Sequence, residues 1–363
     1  HRDTFRAEEL RKNRLEKTLG KLDKINLELI SEFKNVTSEV KLKCKTCGSI
    51  FTSILDYVVH GYGLCPKCFP CWSSYFESEV KEFIKSLFTE EELIFNDRKI
   101  LNGKELDIVV SPKNIAIELD GIFYHSDKMV NKEDVKRYHL NKTEACLRQN
   151  ILLIHVFEDE WYKKKEIVKS RIKQILGKSN SERIHARSCE VREITSKEKE
   201  DFLNEFHIQG SDLTPKVRLG GFYNETLVAV MTFSCGNISK GSKSAAEIWE
   251  LNRFCSDYNY HIPGIAGKIL AYFKRNYEWK EIFSYADRRW SNGNLYLKLG
   301  FDFEKNTFPN YWYVRGMERI HRFNLRKKKD EPKDIPEWML RQKDGYYRIW
   351  DCGNLKFRLT NNN

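Results

Sequence analysis

Residues 115–127 read IAIELDGIFYHSD. The stretch opens like the centre of a strand, yet it carries Glu118, Asp120, Tyr124, His125 and Asp127, all groups that bind metals or move protons. With the two-residue period of a strand, Ile115, Ile117 and Leu119 share one face, and Ala116, Glu118 and Asp120 the other. The first face is core. The second sets carboxylates beside a small residue, so something must approach it. In the preceding run ELDIVV (105–110), Leu106, Ile108 and Val110 lie together and Asp107 lies opposite. If SPKN (111–114) turns the chain, the two runs form a hairpin, and Asp107 converges with Glu118 and Asp120. Carboxylates that close repel each other unless a cation lies between them. Hydrated Mg2+ is the simplest such cation, because it takes oxygen ligands and keeps waters for chemistry. The alternative, solvated charges on an edge strand, is disfavoured by the apolar continuation GIFYH (121–125).

Around this hairpin the pattern is regular. An amphipathic helix, SSYFESEVKEFIKSLF (73–88), precedes it, with Val80, Phe83, Ile84 and Leu87 on one stripe. A strand, ELIFNDRKIL (92–101), leads into it. A helix over 131–149, the strand ILLIHVFEDEW (151–161) and a helix over 162–176 follow. Residues 1–36 read as a helix rich in Glu, Lys and Leu, either a packing element or a contact to a nucleic-acid backbone.

Between that helix and the α/β unit lie CKTC (Cys44, Cys47) and CPKC (Cys65, Cys68), separated by seventeen residues. Two-residue spacing turns both thiolates of a pair toward one ion, and two such knuckles close a tetrahedral shell around structural Zn2+. Four thiolates leave no open position, so no catalysis is expected there. Whether this ribbon reads DNA or only clips the fold stays open. The other six of the ten cysteines are scattered, a pattern of ordinary thiols and not of a disulfide framework.

The whole chain of 363 residues is long enough for two or three domains, and its 40% apolar content supports globular cores. Net charge is +11 and the pI about 9.0, which favours a polyanionic partner. No apolar run approaches the ~20 residues of a membrane span, and no signal peptide is visible. The chain opens at His1 without a methionine, which suggests that an N-terminal extension is missing.

The order of Asp107, the hairpin and the second acidic motif, with a helical Glu upstream, resembles the PD-(D/E)xK nucleases. Glu118-Leu119-Asp120 places Asp where that family has Lys. DGIFYH (120–125) and the thirteen-residue step from Asp107 to Asp120 are more similar to the very-short-patch repair endonucleases and their phage homing-endonuclease relatives, the EDxHD group. In that group the second strand runs into G-x-[FY]-[WY]-H. EDVKRYHLNKTEAC (133–146) and LLIHVFEDEWYKKKEIVKSRI (152–172) resemble the same enzymes. The resemblance spans residues 73–178 and implies a restriction-endonuclease-like mixed sheet. It also implies a metal-dependent DNA endonuclease in the cytoplasm of a phage-infected bacterium, hydrolysing phosphodiesters with a Mg-positioned water. In that arrangement Asp107 and the Leu119 carbonyl would hold the Mg2+, with Glu118 as a third ligand. His125, of the residue type suited to proton transfer near neutrality, would be the general base. Glu77 could reach the metal or its waters, and Asp134 would orient or ligate if it does more than cap a helix. Lys142 would hold the scissile phosphate, and Asp120 is either a ligand or a strand acid. His139 and Glu158 are weaker candidates.

GKSNSER (177–183) reads as a linker. Beyond it VRLGGFYNETLVAVMTF (217–233) is a hairpin, EIWELNRFCS (247–256) a strand, and HIPGIAGKILAYF (261–273) a glycine-containing loop opening a helix. EIFSYADRRW (281–290) is a strand, and NGNLYLKLGF (292–301) a short helix before another strand. This order resembles the GNAT acyltransferases, and equally the phage Mom DNA-modification proteins that share their fold. HIPGIA fits the [QR]-x-x-G-x-[GA] loop, except that His261 stands for Gln or Arg. The resemblance implies an acyl-CoA-like ligand whose pyrophosphate meets the loop amides around Gly264. Arg253, Asp287 and Tyr296 are the candidates for any site there. A retired transferase fold kept for DNA contact is the alternative.

YWYVRGMERIHRFNLRKKK (311–329) then brings aromatics together with Arg315, Arg319, Arg322, Arg326, Lys327, Lys328 and Lys329. Phosphate neutralisation with some stacking, on double-stranded DNA, is the natural reading. The expected fold is therefore α/β and multidomain: a helical segment (1–36), a four-cysteine zinc ribbon (37–72), the endonuclease-like domain (73–178), a GNAT/Mom-like domain (184–325) and a basic tail ending in a strand or hairpin (326–363). The expected function is a site-specific, homing-type DNA endonuclease. Its rivals are a DNA-base modification transferase with a vestigial nuclease half and a non-catalytic DNA-binding protein. Monomer and dimer both stay open.

Overall fold

The structure is a computed structural model that describes residues 2–33, 35, 38–59, 65–66, 68, 75–130, 135–235, 247–315 and 318–361. The chain forms two compact units, residues 1–93 and 94–363.

In the first unit a long helix, α1 (Arg2–Lys24), leads into three strands, β1 (Leu27–Leu29), β2 (Glu39–Cys44) and β3 (Ile50–Ile54). These pair antiparallel in sequence order, Leu27 opposite Cys44. Two helices follow, α2 (Leu55–Val59) and α3 (Tyr75–Lys85). Leu22, Leu27, Val40, Leu42, Leu55 and Val58 bury into one small core that also takes Cys44 and Cys65. A core of this size is marginal by itself, which is where a metal clip contributes most.

The second unit begins with a four-stranded sheet in the order β4 (Leu93–Leu101), β5 (Lys104–Val110), β6 (Ile115–Asp120), β7 (Leu152–Phe157). β5 and β6 form the expected hairpin, with Ile108 opposite Ile117. Its turn is a 3-10 segment, Ser111–Lys113, closed by Asn114 in the left-handed region at φ 50°. Pro112 fits the first helical positions of that segment, and Asn tolerates the left-handed geometry. β6 is buried along its whole length because α4 (Tyr138–Arg148) covers its acidic face, with Ala116 against Cys146. β7 runs parallel to β6, Glu118 opposite His155, and continues into α5 (Glu158–Lys163) and α6 (Lys165–Leu176).

After a two-residue strand, β8 (Glu182–Arg183), a seven-stranded sheet forms. Its elements are β9 (Glu190–Glu193), α7 (Ser196–Phe206), β10 (Val217–Tyr223), β11 (Thr226–Cys235), β12 (Ile248–Ser256), the short β13 (Tyr260–His261) paired with β8, α8 (Ile265–Asn276), β14 (Glu281–Asp287), α9 (Asn294–Lys298) and β15 (Asp302–Asn306). Helix α7 starts at a capping box, Thr195 with Glu198, and buries Phe202 and Leu203 against Phe222 and Val230. Helix α8 buries Ile265, Ile269 and Phe273 on the opposite side, among Leu219, Met231, Phe233 and Trp249.

The strand order is β9-β10-β11-β12-β14-β19-β15. The last element, β19 (Asn354–Thr360), lies inside the sheet, pairing antiparallel with both β14 and β15. The chain end is thus an interior strand, and the expected basic tail instead forms an insertion between β15 and β19. That insertion carries β16 (Tyr311–Arg315), β17 (Glu318–His321), α10 (Glu337–Lys343) and β18 (Tyr347–Trp350), in a small sheet of order β17-β16-β18. It packs back on the four-stranded part: Ile122 and Phe157 share a core with Val314 and Ile349. Asp127 accepts from the Arg348 backbone N–H (2.7 Å) and Nε (2.8 Å).

Candidate functional site

The four cysteines come together. Sγ of Cys44 lies 3.7 Å from that of Cys68, and Sγ of Cys47 lies 3.5 Å from that of Cys65. All four sulfurs sit within 4.8 Å of one another. Thiolates at ~2.3 Å from a shared Zn2+ would have edges near these lengths, so the residues present fit a structural zinc. His60, Tyr62 and Cys71 lie outside the described residues.

At the acidic strip the converging carboxylates are already partnered. Oδ2 of Asp107 accepts the Leu119 N–H at 2.7 Å. The Leu119 carbonyl accepts the Gly121 N–H at 3.1 Å. Lys142 forms a short ion pair with Glu118. Burial opposes the Lys142 charge, but Glu118 and Asp107 hold its ammonium above the ordinary lysine range. Burial also raises the Asp107 carboxyl. The cation among these acids is therefore an ammonium of the chain itself, and the set Asp107, Glu118 and Leu119 is not laid out as an open Mg2+ site. Lys142, expected to hold a phosphate, is committed to Glu118. Glu77 sits on α3 in the first unit, 3.6 Å from Lys81. Asp134 lies outside the described residues.

One turn further along β6 the arrangement changes. Oδ1 of Asp120 meets Nδ1 of His125 at 3.1 Å and Nε2 of His139 at 3.4 Å, and those two nitrogens are 2.9 Å apart. The other oxygen, Oδ2, faces Nδ1 of His155 at 2.9 Å. Burial alone would raise the Asp120 carboxyl, but His139 and His155 hold it well below the usual range. Burial pushes the His155 imidazole below its ordinary value. His125 comes from the loop after β6, His139 from the first turn of α4, and His155 from β7. The sequence pointed to Asp120 and His125, and only weakly to His139. His155 was missed; its signal was a polar residue inside the buried run LLIHVF.

In the seven-stranded sheet, β12 and β14 are the parallel neighbours. They pair at Ile248 with Glu281, Trp249 with Ile282 and Glu250 with Phe283, and then part. A register shift opposite Thr232 and Phe233 makes Asn252 an extra residue of β12. Its amide donates to Asp212 Oδ2 (3.0 Å) and Ser234 Oγ (2.5 Å), which fixes the bulge. Beyond the parting, Ser284 Oγ lies 2.8 Å from the Leu251 carbonyl and 2.9 Å from the Tyr296 hydroxyl, which donates to the Tyr285 carbonyl at 3.4 Å. Burial pushes the Tyr296 hydroxyl above its ordinary value, so it keeps its proton. Arg253 lies on the same stretch, donating to the carbonyls of Asn252 (2.9 Å) and Gly210 (3.4 Å). Gly264, at φ 86°, starts α8, and the exposed His261 lies in β13. Asp287 is not free for a site: it pairs with Arg289 at 2.7 Å.

The basic stretch divides in two. Arg319 is buried, with 9% of its side chain exposed, and pairs with Asp159 (3.1 Å) and Glu160 (2.7 Å). Arg289 meets the same Glu160 at 3.1 Å. Arg319 is thus a bolt between the insertion and α5 and cannot reach DNA. Lys327 Nζ donates to the Ile335 carbonyl at 2.8 Å. Arg315 donates to the Tyr346 hydroxyl (3.3 Å), and Arg326 stacks on Phe323 at 3.6 Å. Arg315, Arg322, Arg326, Lys328 and Lys329 are exposed. Among the described residues no helix is long and apolar enough to cross a membrane.

These features define a mixed α/β protein with a four-cysteine cluster in one unit and a seven-stranded sheet in the other. No family model and no curated protein matches the chain. Among solved structures it is similar to a GNAT family acetyltransferase from Elizabethkingia anophelis with acetyl-CoA bound, at 14% identity and a TM-score of 0.29, over 48% of this chain and 99% of that one. It is also similar to Arabidopsis thaliana Naa50 in complex with a bisubstrate analogue, at 11% identity and 0.28, over 48% and 99%. An aminoglycoside 6'-acetyltransferase type Ii matches at 11% and 0.28, over 47% and 96%.

The DNA endonuclease expected from the sequence is corrected here. The acids expected to bind Mg2+ are held by the chain itself, Glu118 by the Lys142 ammonium and Asp107 by the Leu119 N–H.

Proposed function

We propose that the chain is a GNAT-like group-transfer enzyme acting on nucleic acid, acylating an exocyclic amine of a DNA base. The observation that carries this reading is the parting of β12 from β14 with a protonated tyrosine hydroxyl, Tyr296, reaching into it. Parallel neighbours that separate leave strand edges to which an extended amide-bearing chain can pair. The exposed Pro263 and Gly264 open α8, and a Cβ added at Gly264 would meet only the Ala186 side chain, at 3.6 Å. These residues fit the anionic end of an acyl-CoA, since the first amides of a helix favour negative charge. Such a ligand would supply the acyl group as a thioester.

The residues of the chain then have distinct tasks. Tyr296 gives its proton to the departing thiolate as the C–S bond breaks and recovers one from the amine as the C–N bond forms, and Ser284 lies against its hydroxyl. Arg253 lies within electrostatic reach of Tyr296 and favours a polyanionic acceptor over a cationic one. A net charge of +11 supports the same choice.

The test is release of free thiol from acetyl-CoA in the presence and absence of DNA. Wild-type protein should release it in a DNA-dependent way. Tyr296→Phe should lose ~10²–10⁴-fold in rate, the usual worth of a positioned proton donor, while keeping its fold. Tyr296→Phe at wild-type speed, or release indifferent to DNA, would overturn the reading.

A further inference from the structure

With both imidazoles neutral, the three ligand atoms at Asp120 have no arrangement of protons that satisfies them all. His139 Nδ1 lies 2.6 Å from the Trp350 carbonyl. A carbonyl only accepts, so that nitrogen carries a hydrogen, and in the neutral imidazole Nε2 presents a lone pair. This lone pair points at His125 Nδ1 (2.9 Å) and at Asp120 Oδ1 (3.4 Å). Oδ1 is buried and has no hydrogen-bond partner. A hydrogen on His125 Nδ1 could serve one of the two acceptors, and the other would stay unpaired in the interior. Such a group costs ~1–3 kcal/mol, and more when charged.

We infer that Asp120 Oδ1, His125 Nδ1 and His139 Nε2 are the three ligands of a divalent first-row transition cation. Their separations of 2.9, 3.1 and 3.4 Å match the edges of a coordination shell with ligands at ~2.0–2.2 Å. Two imidazoles and one carboxylate on one face of an ion favour iron, manganese, cobalt or zinc over Mg2+, which prefers oxygen.

The surroundings are those of a ligand set. Each of two ligands is oriented from behind, as metal-binding imidazoles and carboxylates are. The Trp350 carbonyl holds His139, and His155 Nδ1 holds the second oxygen of Asp120. Thr143 Oγ1 in turn lies 2.9 Å from His155 Nε2 and holds the far edge of that ring. Asp120 and His139 are closed off, whereas 17% of the His125 side chain is exposed, so an ion can enter and keep solvent ligands on that side. The Trp350 carbonyl belongs to the insertion, so the site is complete only when that segment docks. The inference does not depend on acyl transfer in the seven-stranded sheet.

The test uses the full chain with zinc already bound at its cysteines, titrated with Co2+, Mn2+, Zn2+ and Mg2+. A second ion per chain should bind. With Co2+ it should give weak visible bands without the intense thiolate absorption of a cysteine site. His125→Ala, at the least buried ligand, should release the second ion and keep the first. His155→Gln, which leaves all three ligands in place, should weaken the second ion ~10–100-fold. A wild-type protein that holds one ion per chain at saturating Co2+ would overturn the inference. So would Mg2+ bound as tightly as Co2+, or a second ion unaffected in both variants.

Discussion

Glu160 shows how single side chains decide the architecture. It is nearly buried and faces two guanidinium groups, Arg289 from the loop after β14 and Arg319 from the insertion. Burial alone would raise its carboxyl, but the two arginines hold it below the ordinary 4.5. A depressed carboxylate contributes stability that is fully present above its unfolded value and is lost as the pH falls through the folded one. Glu160→Gln should therefore cost about 3–5 kcal/mol at neutral pH, the usual loss when one partner of a buried pair is removed. The difference from wild type should shrink as the pH drops below 4.5, where Glu160 itself takes up a proton. Urea unfolding at several pH values measures both, and equal midpoints at neutral pH would refute the role. None of this was legible in the sequence, where Arg319 reads as one more basic residue of a DNA-contacting run. Its burial depends on Asp159 and Glu160, some 160 residues away. Asp120 and His125 were legible for the opposite reason: acid and imidazole in a run destined for the interior need an explanation within that run.

At the scale of elements, the hairpin of β5 and β6 and the helix opened by Gly264 could be read directly, since local periodicity and turn chemistry specify both. The place of β19 could not. Its pattern says strand, but its seat between β14 and β15 follows from a long insertion that no local signal announces. The four-cysteine cluster is the other element specified locally, by spacing alone. Cys44→Ser should remove the bound zinc and melt the β1–β3 sheet, because binding energies of ~10–16 kcal/mol are folding energy in such small units. The unfolding of residues 94–363 should be unchanged. Metal analysis with calorimetry checks this, and a variant that keeps its zinc or its first transition would contradict it.

For the whole molecule, the two α/β parts of the second unit meet directly, as Arg289 does Glu160, and also through one insertion. The insertion that leads into β19 supplies the carbonyl behind His139 and the arginine against Glu160. Damage in one part is therefore expected to reach the other through β16, β17 and β18. The same insertion carries the exposed cations Arg322, Arg326, Lys328 and Lys329, which are the proposed contact for a nucleic-acid acceptor. The proposed activity of this assembly is transfer of an acyl group to DNA. Mass spectrometry of nucleosides, digested from duplex DNA after incubation with the protein and isotope-labelled acetyl-CoA, reads that transfer directly. One nucleoside heavier by a single labelled acetyl group is expected, and it should be absent with Tyr296→Phe. Unmodified nucleosides from DNA that the protein demonstrably binds would refute acyl transfer.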